Sequence, residues 1–290
     1  MKCATVTFIG RPSTGKSTLV NTICEQKVSI VSTTPQTTRN VIRGIYTDQR
    51  GQLIFSDTPG FHLSEQKLNQ KLQETTRSSL KESDIILYLI DPKREAKEEE
   101  ETIVKLLLSL KIPTVVAINK IDIASKNELT ATREFLAKSF KNILEISAQN
   151  DEGVDELLIE LFKLAPQGPL MYPPEAYTDQ PLEFRISEII REKAIKEVIE
   201  ELPHAIYVEV ADLEYSQEDD SVWIRAFINV EKESQKGIVV GKGGSGIKKI
   251  RQASFKEIRR IFAQKNLHLD LRVKTHPKWR KSQTALDRLL

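Results

Sequence analysis

The chain has 290 residues, 39% of them hydrophobic and 29% charged, which fits a globular protein of about two domains. No apolar run approaches the ~20 residues of a membrane-spanning helix, and no signal peptide opens the chain. The two cysteines, Cys3 and Cys24, lack CxxC or Cys/His ligand spacing, which argues against a disulfide scaffold or zinc site and for a reducing cytoplasm.

Short apolar strands are predicted at Ala4–Ile9, Gln52–Ser56, Ile85–Ile90, Thr114–Ile118 and Ile143–Ile146, with an extra edge strand at Asn40–Tyr46. Helical stretches at Gly15–Cys24, Glu65–Ser79, Glu98–Leu110 and Val154–Leu164 separate them. Continuous apolar strands alternating with helices predict an α/β domain, with a mostly parallel six-stranded sheet covered by helices on both faces. The Glu98–Glu101 run reads as a solvated helix start, favoured by the helix dipole.

The first strand runs into Gly10-Arg11-Pro12-Ser13-Thr14-Gly15-Lys16-Ser17, followed by Thr18. This is G-x-x-x-x-G-K-S in the strand–loop–helix setting that a phosphate-binding loop requires. Backbone N–H groups and the helix N-terminus favour phosphate oxygens. Lys16 is expected on the terminal phosphates and Ser17 on Mg²⁺. Asp57-Thr58-Pro59-Gly60 leaves a neighbouring strand, so Asp57 is expected in the Mg²⁺ shell and the Gly60 N–H on a γ-phosphate. Asn119-Lys120-Ile121-Asp122 closes the Thr114–Ile118 strand. The Asp122 carboxylate can accept both N1 and N2 protons of guanine; adenine would leave it unpaired, so guanine is expected over adenine. Ser147-Ala148 ends the next strand, placed for a backbone contact to the base oxygen. All these motifs sit at strand C-terminal ends, where open α/β sheets bind ligands.

Pro166, Gly168, Pro169, Pro173, Pro174 and Pro181 mark residues 166–182 as a linker between a domain at 1–165 and another at 183–290. Beyond it come a helical stripe in Phe184–Leu202, two alternating strands through Ile206–Val210 and Val222–Val230, and an acidic turn at Glu218–Asp220. An apolar segment Ile238–Val240, read as strand, leads to the Gly-rich turn at 241–246. A helix with Ile247, Ile250, Ile258 and Ile261 and a strand with Leu267, Leu269, Leu271 and Val273 follow. The net charge of +2 is divided unevenly: residues 241–290 hold 14 Lys and Arg against 3 Asp and Glu, and the preceding 240 hold 29 against 38. Such a basic segment suits a polyanion, whether nucleic acid or anionic lipid.

The four nucleotide motifs, with Gln36-Thr37-Thr38-Arg39, resemble the translation-factor-related branch of small GTPases. That resemblance implies a switch threonine, here Thr38 within Gln36-Thr37-Thr38-Arg39, with Thr37 competing, that closes over Mg²⁺ and γ-phosphate. Where many GTPases place a water-orienting Gln stands Phe61, so slow unassisted hydrolysis is expected. Relatives with an apolar residue here are implied to use a bound K⁺ held by a P-loop Asn; Ser13 at that position counts against K⁺.

Gly241-Lys242-Gly243-Gly244 resembles the G-x-x-G loop of KH domains, which clamps single-stranded nucleic acid. Lys242, Lys248, Lys249 and Arg251 would meet phosphates, with Ile238 and Ile247 as the groove floor; Trp279 is expected either to pack on the domain or to stack on a base. The element order resembles the prokaryotic, type II KH arrangement, an α+β fold. Across the whole chain, Gln36-Thr37-Thr38-Arg39, Asp57-Thr58-Pro59-Gly60-Phe61-His62 and the Gly241 loop resemble the bacterial Era GTPase family. That resemblance implies a factor in small ribosomal subunit maturation that binds near the 3′ end of the small-subunit ribosomal RNA. It further implies a monomer in the cytoplasm, peripherally associated with the inner face of the membrane.

Overall fold

The computed structural model describes residues 1–31, 40–61, 67–95, 98–198 and 202–281. They form two compact units, Met1–Asp179 and Gln180–Leu290.

The first unit is built on β1 (Lys2–Ile9), β2 (Ile42–Asp48), β3 (Gly51–Asp57), β4 (Ile85–Ile90), β5 (Thr114–Ile118) and β6 (Ile143–Glu145). The sheet order is β2-β3-β1-β4-β5-β6; only the edge pair β2–β3 is antiparallel. Every residue of β3 and β4 is buried, which requires cover on both faces. That cover comes from α1 (Lys16–Cys24), α2 (Lys67–Lys81), α3 (Glu98–Leu110), α4 (Lys126–Ala137) and α5 (Val154–Leu164). Ser125 and Glu128 start α4 as a capping box: the Glu128 N–H donates to Ser125 Oγ at 3.3 Å and the Ser125 N–H donates to Glu128 Oε2 at 2.7 Å.

Two expectations need correction here. The Pro-rich stretch up to Asp179 belongs to the first unit rather than bridging out of it. Gln52, fully buried on β3, accepts the N–H groups of Met171 and Tyr172 at 2.9 and 3.0 Å and donates to the Tyr172 carbonyl at 3.0 Å. Backbone bonds Cys3 N to Pro166 O (3.0 Å) and Ile45 N to Tyr177 O (2.9 Å) pin it further. Proline barred the segment from helix without preventing it from packing. The Glu98–Glu101 run starts α3 with Glu98 and Glu101 exposed, but Glu100 departs from the expected solvated face: it is 1% exposed and accepts the Tyr88 hydroxyl. Burial raises the Glu100 pKa, the Tyr88 bond and Arg11 opposing.

The second unit has α6 (Leu182–Glu197), a short α7 (Leu202–Ala205), β7 (Tyr207–Ser216), β8 (Ser221–Val230), α8 (Glu233–Val240), α9 (Ser245–Ile258) and β9 (Asn266–Thr275). The sheet order is β7-β8-β9, with β7–β8 antiparallel and β8–β9 parallel across the α8–α9 connection. Ile186, Ile190, Ile224, Ile228, Val239, Ile250 and Leu269 share its core. Ile238–Val240, expected as strand, is the last turn of α8. Three apolar residues carry no periodicity, and the Gln235 side chain caps the helix by accepting the N–H groups of Glu231 and Lys232 at 2.9 Å each. The glycine loop is thus set between two helices. Trp279 packs on the domain: it is 1% exposed, with Nε1 donating to the Ala205 carbonyl at 2.9 Å and its ring edge-on to Tyr207.

Candidate nucleotide site and nucleic-acid loop

The C-terminal ends of β1, β3, β4, β5 and β6 converge at one pole of the first unit. Between β1 and α1, Gly15 takes φ 96°, and a Cβ there would lie 2.2 Å from Asn119 Nδ2, so only glycine fits. Thr14 Oγ1 donates back to the Arg11 carbonyl at 3.1 Å, and Ser13, exposed, also turns left-handed (φ 66°). Lys16 Nζ curls into the loop, donating to the Gly10 and Arg11 carbonyls at 3.1 and 3.0 Å. Burial pushes its pKa down to about 8, with Asp57 and Glu100 opposing. A buried ammonium on two neutral carbonyls has stronger partners in phosphate oxygens. Arg94, just past β4, donates to the Pro12 carbonyl at 2.7 Å, and Arg11 ion-pairs with Glu99 at 2.8 Å, so the loop is held from outside. Thr18 follows on α1, half-buried, its carbonyl accepting Thr22 Oγ1.

Asp57, fully buried at the end of β3, accepts Ser17 Oγ at 2.6 Å and Ser29 Oγ at 2.7 Å, both on Oδ2. Hard oxygen donors from a strand end and a helix start suit Mg²⁺. Thr58 Oγ1 donates to the Phe8 carbonyl at 2.7 Å, and the Pro59 carbonyl accepts Thr76 Oγ1 at 3.3 Å. Gly60 lies so close to the phosphate loop that a Cβ would stand 2.6 Å from Pro12 Cα. The Phe61 N–H donates to the Gly10 carbonyl at 3.0 Å while its side chain joins Ile9, Leu80 and Tyr88 in the core. The expected switch residues Thr37 and Thr38 lie outside the described residues.

Asn119 binds two loops together: Nδ2 donates to the Thr14 carbonyl at 2.8 Å and Oδ1 accepts the Ala148 N–H at 2.9 Å. Lys120, at φ 66°, reaches Asp91 Oδ2 at 2.6 Å. The Ile121 N–H donates to the Ile146 carbonyl at 3.3 Å, and Ser147 Oγ donates to Asp122 Oδ1 at 2.6 Å. Asp122 is exposed and its carboxylate is held at one oxygen by Ser147, an arrangement suited to a pair of donors on a purine edge. All the expected nucleotide-site residues among those described therefore gather at this pole. Sequence reasoning missed Asn21, Ser29, Asp91 and Arg94. Asp91 directly follows a strand, the same signal that marks Asp57; the others carry none.

In the second unit, Gly241 (φ 72°) ends α8, its N–H donating to the Gly237 carbonyl at 2.9 Å. Gly243 (φ 60°) and Gly244 (φ 80°) then turn the chain into α9. Lys242, Lys248, Lys249 and Arg251 are exposed around this helix N-terminus, Lys249 paired with Glu197 at 2.9 Å. Ile238 is 60% exposed, while Ile247 is half-buried against the core. The dipole end, basic side chains and open glycine backbone face the same loop, which suits phosphates.

A family model described as 50S ribosome-binding GTPase matches residues 5–120, and one described as KH domain matches residues 201–280. The chain is 48% identical to the GTPase Era of Treponema denticola, covering 100% of this chain and 99% of that protein. It is 46% identical to that of Borreliella burgdorferi strain ZS7, covering 100% of both. The chain belongs to the Era GTPase family. Among solved structures it is similar to Aquifex aeolicus Era bound to GDP·AlF4⁻, at a TM-score of 0.95 and 33% identity, over 100% of this chain and 99% of that one. It is similar to Era in complex with MgGDPNP and nucleotides 1506–1542 of 16S ribosomal RNA at a TM-score of 0.94 and 33% identity, over 100% and 98%. As an Era-family member it is a GTPase that carries a KH domain.

Proposed function

We propose that this chain binds small-subunit ribosomal RNA near its 3′ end under the timing of GTP, and so assists small ribosomal subunit biogenesis. One observation carries the reading: an open Gly241–Gly244 loop beside a basic helix, in a chain matching, along its whole length, an Era held in complex with 16S ribosomal RNA. The phosphate-loop amides and Lys16 take the β- and γ-phosphates, and Asp122 takes guanine N1 and N2. Ser17, Asp57 and Thr38 hold Mg²⁺, which when bound neutralises phosphate charge. Thr38 and the Gly60 N–H sense the γ-phosphate. With Phe61 in the core, the attacking water is oriented by other groups, and unassisted turnover is slow.

The test is Gly243→Asp. The Cβ at this position meets nothing within 4 Å, and Asp enters the left-handed region more readily than most residues, so the domain folds. A carboxylate then faces the RNA backbone. Binding of a single-stranded oligonucleotide from the 3′ end of 16S ribosomal RNA is expected to fall at least about ten-fold, with GTP binding unchanged. Unaltered RNA affinity would refute the assignment.

The same reading places the protein as a monomer in the cytoplasm with peripheral contact to the inner membrane face, supported by the basic charge of residues 241–290. Competition between that oligonucleotide and anionic vesicles decides whether RNA and lipid share this surface.

A further inference from the structure

Ser29 lies outside every nucleotide-binding motif, yet it is 1% exposed and its Oγ donates to Asp57 Oδ2 at 2.7 Å. Its own position is over-determined. Asn21, one turn beyond Ser17 on α1, accepts the N–H groups of Val28 and Ser29 through Oδ1, at 2.9 and 2.8 Å. Its Nδ2 donates to the Ser29 carbonyl at 2.8 Å. One side-chain amide thus makes three hydrogen bonds to a two-residue stretch, and the stretch delivers one hydroxyl to one carboxylate oxygen. A charged carboxylate with no exposed surface needs such donors, because burial without them is costly. The hydroxyl of Ser17 meets the same oxygen at 2.6 Å, but Ser17 is also a Mg²⁺ residue and must serve the ion.

We propose that Ser29, clamped by Asn21, is a positioning residue that holds the Asp57 carboxylate in the orientation Mg²⁺ requires. The inference rests on the assignment of Asp57 to the Mg²⁺ shell. It gives α1 a second duty: besides presenting Lys16 to the phosphates and Ser17 to Mg²⁺, it fixes, through Asn21, the Val28–Ser29 stretch. Outer-shell partners of metal-binding carboxylates typically change metal affinity by 10–100-fold when removed. A residue that acts on nucleotide directly, or on folding alone, would change nucleotide affinity with and without the ion.

The experiment uses the full chain and a fluorescent GDP analogue, titrated with Mg²⁺ and, separately, in EDTA. Ser29→Ala is expected to raise the Mg²⁺ concentration at half-effect by about ten-fold, with nucleotide affinity in EDTA within about two-fold of wild type. Asn21→Ala, which frees the same stretch, should move the midpoint in the same direction. An unchanged midpoint in Ser29→Ala overturns the proposal, and so does an equal loss of affinity with and without Mg²⁺. Asp57→Asn separates the two levels: a wild-type Mg²⁺ response in that variant removes Asp57 from the ion's shell, whatever Ser29 does.

Discussion

Asn119 shows how single side chains assemble this site. Its amide is spent on the Thr14 and Ala148 backbones, so it ties those loops together, and on the proposed reading base recognition falls to Asp122. Asp122 presents its carboxylate at the surface, braced by Ser147. Asp122→Asn keeps the shape but turns one acceptor into a donor, which opposes the guanine 2-amino group and suits the carbonyl that xanthine carries there, while the amide oxygen still accepts N1–H. GDP affinity is expected to fall by two orders of magnitude or more, with binding of xanthine nucleotides gained, as read by competition titration. That the motif residues would lie together was legible because each motif ends a strand of one mostly parallel sheet. Glu100 was not: four consecutive glutamates look alike in sequence. The Tyr88 hydroxyl, on β4, marks the one that is buried, while Arg11 lies closer to its neighbour Glu99.

Among elements, the parallel strands read directly from their apolar runs, and the edge strand β2 from its place before β3. Helix α4 was not among the predicted helices, although Ser125-Lys126-Asn127-Glu128 carries a capping-box sequence. The Pro-rich segment and α8 were misread for opposite reasons. Proline reports what a segment cannot form and is silent on whether it packs. A three-residue apolar run is compatible with either strand or helix until a cap such as Gln235 decides. The packing of the Pro-rich segment is itself testable. Gln52→Ala removes three hydrogen bonds that hold Met171 and Tyr172 and empties a buried position on β3. It is expected to destabilise the first unit by about 2 kcal/mol in urea unfolding, while RNA binding by the second unit is retained. Stability within ~0.5 kcal/mol of wild type would mean that solvent replaces those bonds fully.

For the whole molecule, the division of charge matters more than its sum. An acidic first portion carries the nucleotide pole, and the basic last fifty residues carry the glycine loop. Two ligands that are both polyanions are therefore met by different means. On the proposed reading the nucleotide is bound by oriented amides, one lysine and a divalent ion inside a folded loop, where salt screens weakly. On the same reading the RNA is met by exposed lysines and arginines, where binding releases condensed counterions and affinity falls steeply with salt. Log affinity for a single-stranded RNA oligonucleotide should accordingly decline linearly with log salt, and Lys242→Ala and Lys248→Ala should each flatten that slope by about 0.7. Lys249, already paired with Glu197, should flatten it less, because its charge is partly neutralised before RNA arrives. If all three substitutions leave the slope unchanged while lowering affinity, these lysines act on the fold of the loop instead of on phosphates. If nucleotide affinity follows the same salt slope as RNA affinity, the separation of the two electrostatic mechanisms fails.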